Sequence, residues 1–157
     1  MKKKVLIITT AAVLLLTTVA FAAVDAGAAE SVAAGFIPVG AKHLYTKTGS
    51  VEYAVQFIDE STNAHYEITV SRATGQIMEL KMRIRGNPGS NTVVISEQQA
   101  KSILLKDHPT ATIQSVKLET DNGYKRYHLD FSVGNTTKGN YEVNPETGVV
   151  IEKDVMY

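Results

Sequence analysis

The residues whose types and spacing could best support catalysis or metal binding are His128 and Asp130. They lie two positions apart on one predicted strand. Alternate residues of a strand point to the same face, so both side chains would project together. A histidine beside a carboxylate can act as an acid–base pair or supply two ligands to a metal ion. An ordinary solvated sheet face explains the same pattern, and we favour it because no serine or cysteine is arranged as a nucleophile with a base.

The other clusters of polar residues do not form a better candidate for a catalytic or metal-binding site. His65 stands beside Tyr66 and Glu67 without a nucleophile to serve. Acidic residues scattered along the last predicted hairpin lack the dense alternation of a calcium loop, and these are Glu142, Glu146, Glu152 and Asp154. The sequence therefore predicts no catalytic residue, no cofactor site and no metal site, and it indicates a protein that is not an enzyme.

Protein binding is the remaining use for the polar face of this strand. Tyr124, Arg126, His128 and Asp130 recur at every second position, and tyrosine and arginine are favoured at protein interfaces. We take these four residues as the candidate protein-binding patch. The alternative is an exposed face with no partner.

The amino terminus predicts export. Residues 1–23 have the form of a signal peptide, because MKKK is followed by an uncharged stretch that ends in Ala20-Phe21-Ala22. The alternative is a retained membrane anchor, since 19 uncharged residues approach the length of a bilayer span. Without the three lysines at positions 2 to 4, 13 of the 16 basic side chains remain against 16 acidic ones. This balance predicts no nucleic-acid partner, and membrane contact only if the leader stays uncleaved.

The elements that position these side chains are clearest from residue 95 onward. Ser96 and Gln99 have the spacing of a capping box, Ala100, Ile103 and Leu104 share one helical face, and Pro109 ends the helix. Four strands follow in two hairpins, the first turned at Asn122-Gly123 and the second at Pro145-Glu146-Thr147-Gly148. We expect the helix to cover the buried face of these strands.

The first half repeats the strands of the second. A shift of 74 positions superposes residues 43–59 on 117–133 with five identities in 17 positions, where about one is expected by chance, and these include Tyr53/Tyr127 and Phe57/Phe131. At this offset the first copy has no counterpart to the helix, because the aligned positions fall in the signal peptide and the Ala-rich leader. Residues 24–35 are rich in alanine and poor in large apolar side chains, so we expect a mobile segment there rather than a weak helix. A sheet without its helix has an uncovered apolar face, which must then be covered by the second copy, by the leader or by a partner.

The second half resembles the PepSY domain family. The motifs that carry the resemblance are Ile95-Ser96, Ala100, His108-Pro109, Gly123, Tyr127/Leu129/Phe131, Tyr141-Glu142-Val143 and Thr147-Gly148 followed by Val150 and Ile151. The resemblance implies a non-catalytic domain, of the kind found in propeptides of secreted metallopeptidases and in small exported bacterial proteins, that inhibits or regulates peptidases. The 157 residues contain no HExxH zinc motif.

The combined prediction is an exported α+β protein: an antiparallel four-stranded sheet packed by one helix, preceded by a partial second copy of the sheet. We divide the chain into a signal peptide (1–23), an Ala-rich leader (24–35), a truncated PepSY-like repeat (36–85), a linker (86–92) and a complete PepSY domain (93–157). The predicted partner is a protein, with a secreted metallopeptidase as the leading candidate. The rival role is a structural or assembly protein of the cell envelope.

Overall fold

A computed structural model describes residues 23–157 of the chain. The predicted signal peptide therefore lies, apart from its last residue, outside the described residues. Two helices and eight strands follow in the order α1 (Ala26–Ala34), β1 (Lys42–Thr48), β2 (Glu52–Asp59), β3 (Ala64–Ser71), β4 (Ile77–Ile84), α2 (Glu97–Asp107), β5 (Thr112–Asp121), β6 (Tyr124–Val133), β7 (Thr137–Val143) and β8 (Val150–Met156). No helix within this part of the chain is long and apolar enough to cross a membrane.

The eight strands form one antiparallel sheet in the order β1-β2-β3-β4-β8-β7-β6-β5. The prediction of a four-stranded sheet with one helix, preceded by a partial copy, was therefore wrong, although the α+β class holds. Each half does form a four-stranded meander, but its last strand does not remain an edge. β4 pairs with β8, with Lys81 opposite Asp154 at the centre of the contact. Pairing satisfies backbone groups that would otherwise remain free at two sheet edges.

Both helices pack on the same face of the sheet. Leu80 of β4 lies directly opposite Val155 of β8, so the two side chains share a face. Leu80 belongs to the core under α1, whereas Val155 belongs to the core under α2. The opposite face is not covered by any element within residues 23–157.

α2 forms where the sequence predicts it, for the predicted reasons. Ser96 is the N-cap, and its side chain accepts a hydrogen bond from the Gln99 amide while the Gln99 side chain returns one to the Ser96 backbone. This capping box satisfies amides that a helix start leaves free. Ala100 and Leu104 are fully buried against the face of β6.

The segment before β1 is also a helix, so the expectation of a mobile leader was wrong. Of the three possible covers for the apolar sheet face of the first copy, the leader is the one that covers it. α1 is capped by the Asp25 side chain, which accepts a hydrogen bond from the Ala28 amide at 2.8 Å. Ala29 and Ala33 are fully buried, and α1 contacts β1, β2 and β3. Alanine has no side-chain entropy to lose in a helix, and its small side chain lets the helix approach the strands closely.

The two halves are equivalent in detail. The Tyr53 hydroxyl donates a hydrogen bond to the Val24 carbonyl, and the Tyr127 hydroxyl donates one to the Ile95 carbonyl. Each acceptor is the residue before a helix N-cap. The helices are related by an offset of 71, which places Ala33 at the position of Leu104. Near the end of each half the offset is 73, so Lys81 corresponds to Asp154, its own partner across the β4–β8 contact. A pseudo-two-fold axis therefore passes through that pair, as in an isologous dimer.

Candidate protein-binding site

The structure places the four predicted patch residues on the open face of β6. Tyr127, Leu129 and Phe131 alternate with them and are buried under α2. Tyr124 is exposed, whereas the three residues after it in the patch are only partly exposed. The patch residues are Tyr124, Arg126, His128 and Asp130, and their role in binding stays a prediction.

Arg126 is held in place by three groups. Its Nη1 atom lies 2.8 Å from Oε2 of Glu142, its Nη2 atom lies 3.7 Å from Oδ2 of Asp121, and its Nε donates to the Pro88 carbonyl at 2.8 Å. Because the guanidinium is already engaged on these sides, it is oriented before any partner arrives. Sequence reasoning missed these contacts, since two of them come from residues 16 and 38 positions away.

His128 and Asp130 contact each other, with Nε2 3.2 Å from Oδ1. The Ser115 hydroxyl donates a hydrogen bond to the other Asp130 oxygen at 2.6 Å. This hydrogen bond, followed by that from His128, holds the pKa of Asp130 below its ordinary value. Within residues 23–157 no group of three or more His, Cys, Asp or Glu side chains is placed to hold a metal ion. The open face of β6 is thus a charged, internally paired surface.

A second site, which sequence reasoning missed, is a cleft of about 330 Å³ between the ends of the two helices, above the central strands. It is lined by Phe36, Pro38, Tyr66, Leu80, Met82, Asp107, His108, Tyr141, Lys153, Val155 and Tyr157. Volumes of this size suit a ligand or a buried side chain of a partner. The cleft exists only because β4 pairs with β8, which brings the two halves together. The sequence signal that could have indicated the matching helix ends is a proline shortly after each helix, Pro38 and Pro109.

Asp107 organises the polar end of this cleft. Its Oδ2 atom accepts a hydrogen bond from the Tyr141 hydroxyl at 3.0 Å and also contacts the Lys153 ammonium. Burial alone would raise the pKa of Asp107, but the hydrogen bond and charge of Lys153 hold it below the ordinary value. The Lys153 Nζ atom also lies 4.9 Å from the centre of the Tyr141 ring, a distance at which the ring attracts a cation.

His108 closes the same end of the cleft as the C-cap of α2. Its ring lies 4.7 Å from the Phe131 ring and 5.9 Å from the Tyr141 ring. Burial, followed by the charge of Lys153, outweighs the opposing effect of Asp107 and lowers the pKa of His108. The imidazole is therefore neutral at pH 7, and it contributes an aromatic surface rather than a charge.

The second half thus defines a class of small α+β domain, in which one capped helix covers an antiparallel four-stranded meander. Residues 94–154 match the family model described as "Peptidase propeptide and YPEB domain", or PepSY. This segment of the chain is a PepSY domain, as its sequence motifs predicted. The match does not include the first half.

Comparison with individual proteins adds little. No curated protein matches the chain at a significant level. A solved structure from Clostridium difficile 630, described as a "putative lipoprotein", is 16% identical, with 73% of this chain and 82% of that chain covered. The TM-score of 0.37 is too low to support an argument from its fold.

Proposed function

We propose that the protein is an exported, non-catalytic binding protein that inhibits or regulates a secreted or envelope peptidase. The observation that carries this proposal is the PepSY match over residues 94–154, because the family description includes peptidase propeptides. A propeptide acts by occupying a surface of its enzyme, which needs no chemistry of its own. The charged surface of β6 supports the same proposal, since its side chains are fixed in advance and lose little freedom on binding.

Two modes of docking fit this fold. A peptidase loop can lie across the open face near Tyr124 and Arg126, or an extended segment can add to a free edge of the sheet. The outer strands β1 and β5 each pair with one neighbour only within the described residues. β5 is the longer edge, with 10 residues against 7, and it adjoins the patch on β6.

The experiment is an inhibition assay with a secreted thermolysin-like metallopeptidase of the same host, measured by cleavage of a fluorogenic peptide. We expect activity to fall as the full chain is added, and Tyr124→Ala to weaken the effect. Tyr45→Ala on β1 is the matched control, because Tyr45 is also an exposed strand tyrosine, 57% exposed against 40% for Tyr124. Unchanged peptidase activity at micromolar excess of the protein would contradict the proposal.

The second candidate is a structural or assembly protein of the envelope, which the two free sheet edges favour. β1 carries Lys42 and Lys47, whereas β5 carries Lys117 but ends in Glu119 and Asp121, so the acidic end of β5 is opposite in charge to the lysines of β1. β1 and β5 also run in opposite directions, and a second copy can therefore continue the antiparallel sheet. Analytical ultracentrifugation distinguishes the two roles: growth of oligomers with concentration supports assembly, whereas a monomer at all concentrations supports a regulator.

A further inference from the structure

The cleft between the helix ends has an apolar half and a polar half. This inference rests on the proposed function as a protein-binding module. We propose that the cleft receives a lysine or arginine side chain of a protein partner, with its aliphatic stem on the apolar half and its charged group at Asp107. Three independent features of the described residues lead to this assignment.

The first feature is where the two repeats differ. The buried aromatic pairs of the repeats keep their identity, as in Tyr53 and Tyr127. At the cleft the equivalent positions have different chemistry: Phe36 corresponds to Asp107, and Leu80 corresponds to Lys153. The first half therefore contributes apolar side chains to the cleft where the second half contributes charged ones. Neither sheet packing nor helix packing requires this difference.

The second feature is the shape and chemistry of the apolar half. Phe36, Tyr66, Leu80 and Met82 line it. Phe36 remains 47% exposed although it belongs to the rim of this cleft, so its ring is available to a partner. Long basic side chains bury their methylene groups on such surfaces and keep the charged end in a polar setting.

The third feature is charge. Asp107 is the last residue of α2, and its side chain is 45% exposed. Only its Oδ2 atom has hydrogen-bond partners among residues 23–157, so Oδ1 is free to accept from a guanidinium or an ammonium. The C-terminal end of a helix carries a partial negative charge that also favours a cation. Neutral His108 adds no opposing charge, so the opposing charge at this carboxylate is the Lys153 ammonium on Oδ2.

Lys153 shows that this corner accepts a cation, because its own ammonium lies against Asp107 and over the Tyr141 ring. Its side chain is 24% exposed and fixed by these contacts. A carboxylate ligand would approach Lys153 but would meet Asp107 and the end of α2 as well. Because the charges of Asp107 and Lys153 offset each other, the preference for a basic side chain rests on the Oδ1 atom of Asp107 and on the end of α2.

The test is an NMR titration of the ¹⁵N-labelled full chain with three blocked pentapeptides that differ only in the central residue: Gly-Leu-Arg-Leu-Gly, Gly-Leu-norleucine-Leu-Gly and Gly-Leu-Glu-Leu-Gly. We expect the arginine peptide to shift the amides of Phe36, Tyr66 and Asp107. Its affinity should exceed that of the glutamate peptide by about tenfold, which corresponds to about 1.4 kcal/mol. The norleucine peptide should lie between them, because it retains the stem without the charge.

Asp107→Asn should weaken the arginine peptide about tenfold and leave the norleucine peptide unchanged. Glu152→Gln is the matched control, because Glu152 is 27% exposed and accepts a hydrogen bond from the basic side chain of Arg83, but lies on the opposite face and outside the β6 patch. Phe36→Ala removes a ring that is 47% exposed and packs edge-on against Tyr157, and it should weaken both peptides.

Equal affinity for the three peptides, an equal effect of Glu152→Gln, or shifts confined to the open face would overturn the assignment. The titration contains no peptidase. Its failure therefore rejects the cleft as a basic-side-chain site, whereas failure of the inhibition assay alone rejects the peptidase as the partner.

Discussion

Ala33→Leu tests the packing of α1 most directly. Ala33 is fully buried between α1 and the sheet, so three additional carbon atoms fit only if α1 moves away or side chains leave their preferred rotamers. Overpacking of this kind costs about 1–3 kcal/mol. We expect the free energy of unfolding in urea to fall by about 2 kcal/mol, and Tm to fall by roughly 5–10 °C.

Two comparisons separate overpacking from other effects of leucine. Ala34→Leu makes the same change at the next residue, which is exposed, and should change stability by less than about 0.5 kcal/mol. Leu104→Ala makes the reverse change at the equivalent position of α2, which is also fully buried, and should cost about 2–5 kcal/mol. If Ala33→Leu is neutral or stabilising while Leu104→Ala is costly, α1 does not pack on the sheet as we describe.

Three further predictions concern single residues. Gly139→Ala should destabilise the protein, because a Cβ atom there would overlap the Asp154 carbonyl and lie 3.0 Å from the Val155 Cα. Gly27→Ala should be neutral or stabilising, because its Cβ would approach nothing closer than 3.5 Å. Urea denaturation measures the free energy of unfolding of both variants. Ser96→Ala should lower the free energy of unfolding by about 0.5–2 kcal/mol, measured the same way, through loss of the N-cap. A neutral result would show that the Ser96 cap does not stabilise α2. Burial, followed by the charge of Glu79, raises the pKa of Asp154, so ionisation of this carboxyl opposes folding at and above the raised pKa. Asp154→Asn should therefore raise Tm at pH 7 but not at pH 3. A gain in Tm of the same size at pH 3 would contradict this cause.

The elements of the second half were predictable because their signals are local. A capping box, a proline after the helix and an Asn-Gly hairpin each act over a few residues, and the structure has α2 and β5–β8 where these signals stand. α1 was missed for a physical reason. Its buried side chains are alanines, so the segment has little apolar bulk to recognise, and the offset of 74 taken from the strands does not apply to the helices.

The candidate site divides in the same way. Alternation along one strand was enough to place Tyr124, Arg126, His128 and Asp130 on one face. The partners of Arg126 depend on which strand lies beside β6 and on where residues 86–90 return, which no local pattern specifies. The cleft depends on contacts between the two halves, so its lining residues come from both of them.

By itself the sequence determined the α+β class, the strand alternation, the caps and turns, and the PepSY character of residues 94–154, because each depends on side chains close together in the chain. Only the tertiary structure decided that two meanders join into one eight-stranded sheet, that an alanine-rich helix covers the first of them, and that a cleft lies between the helix ends. These features follow from the pairing of β4 with β8 and from close packing of α1 on β1–β3, where backbone edges and small side chains meet without a distinctive local sequence.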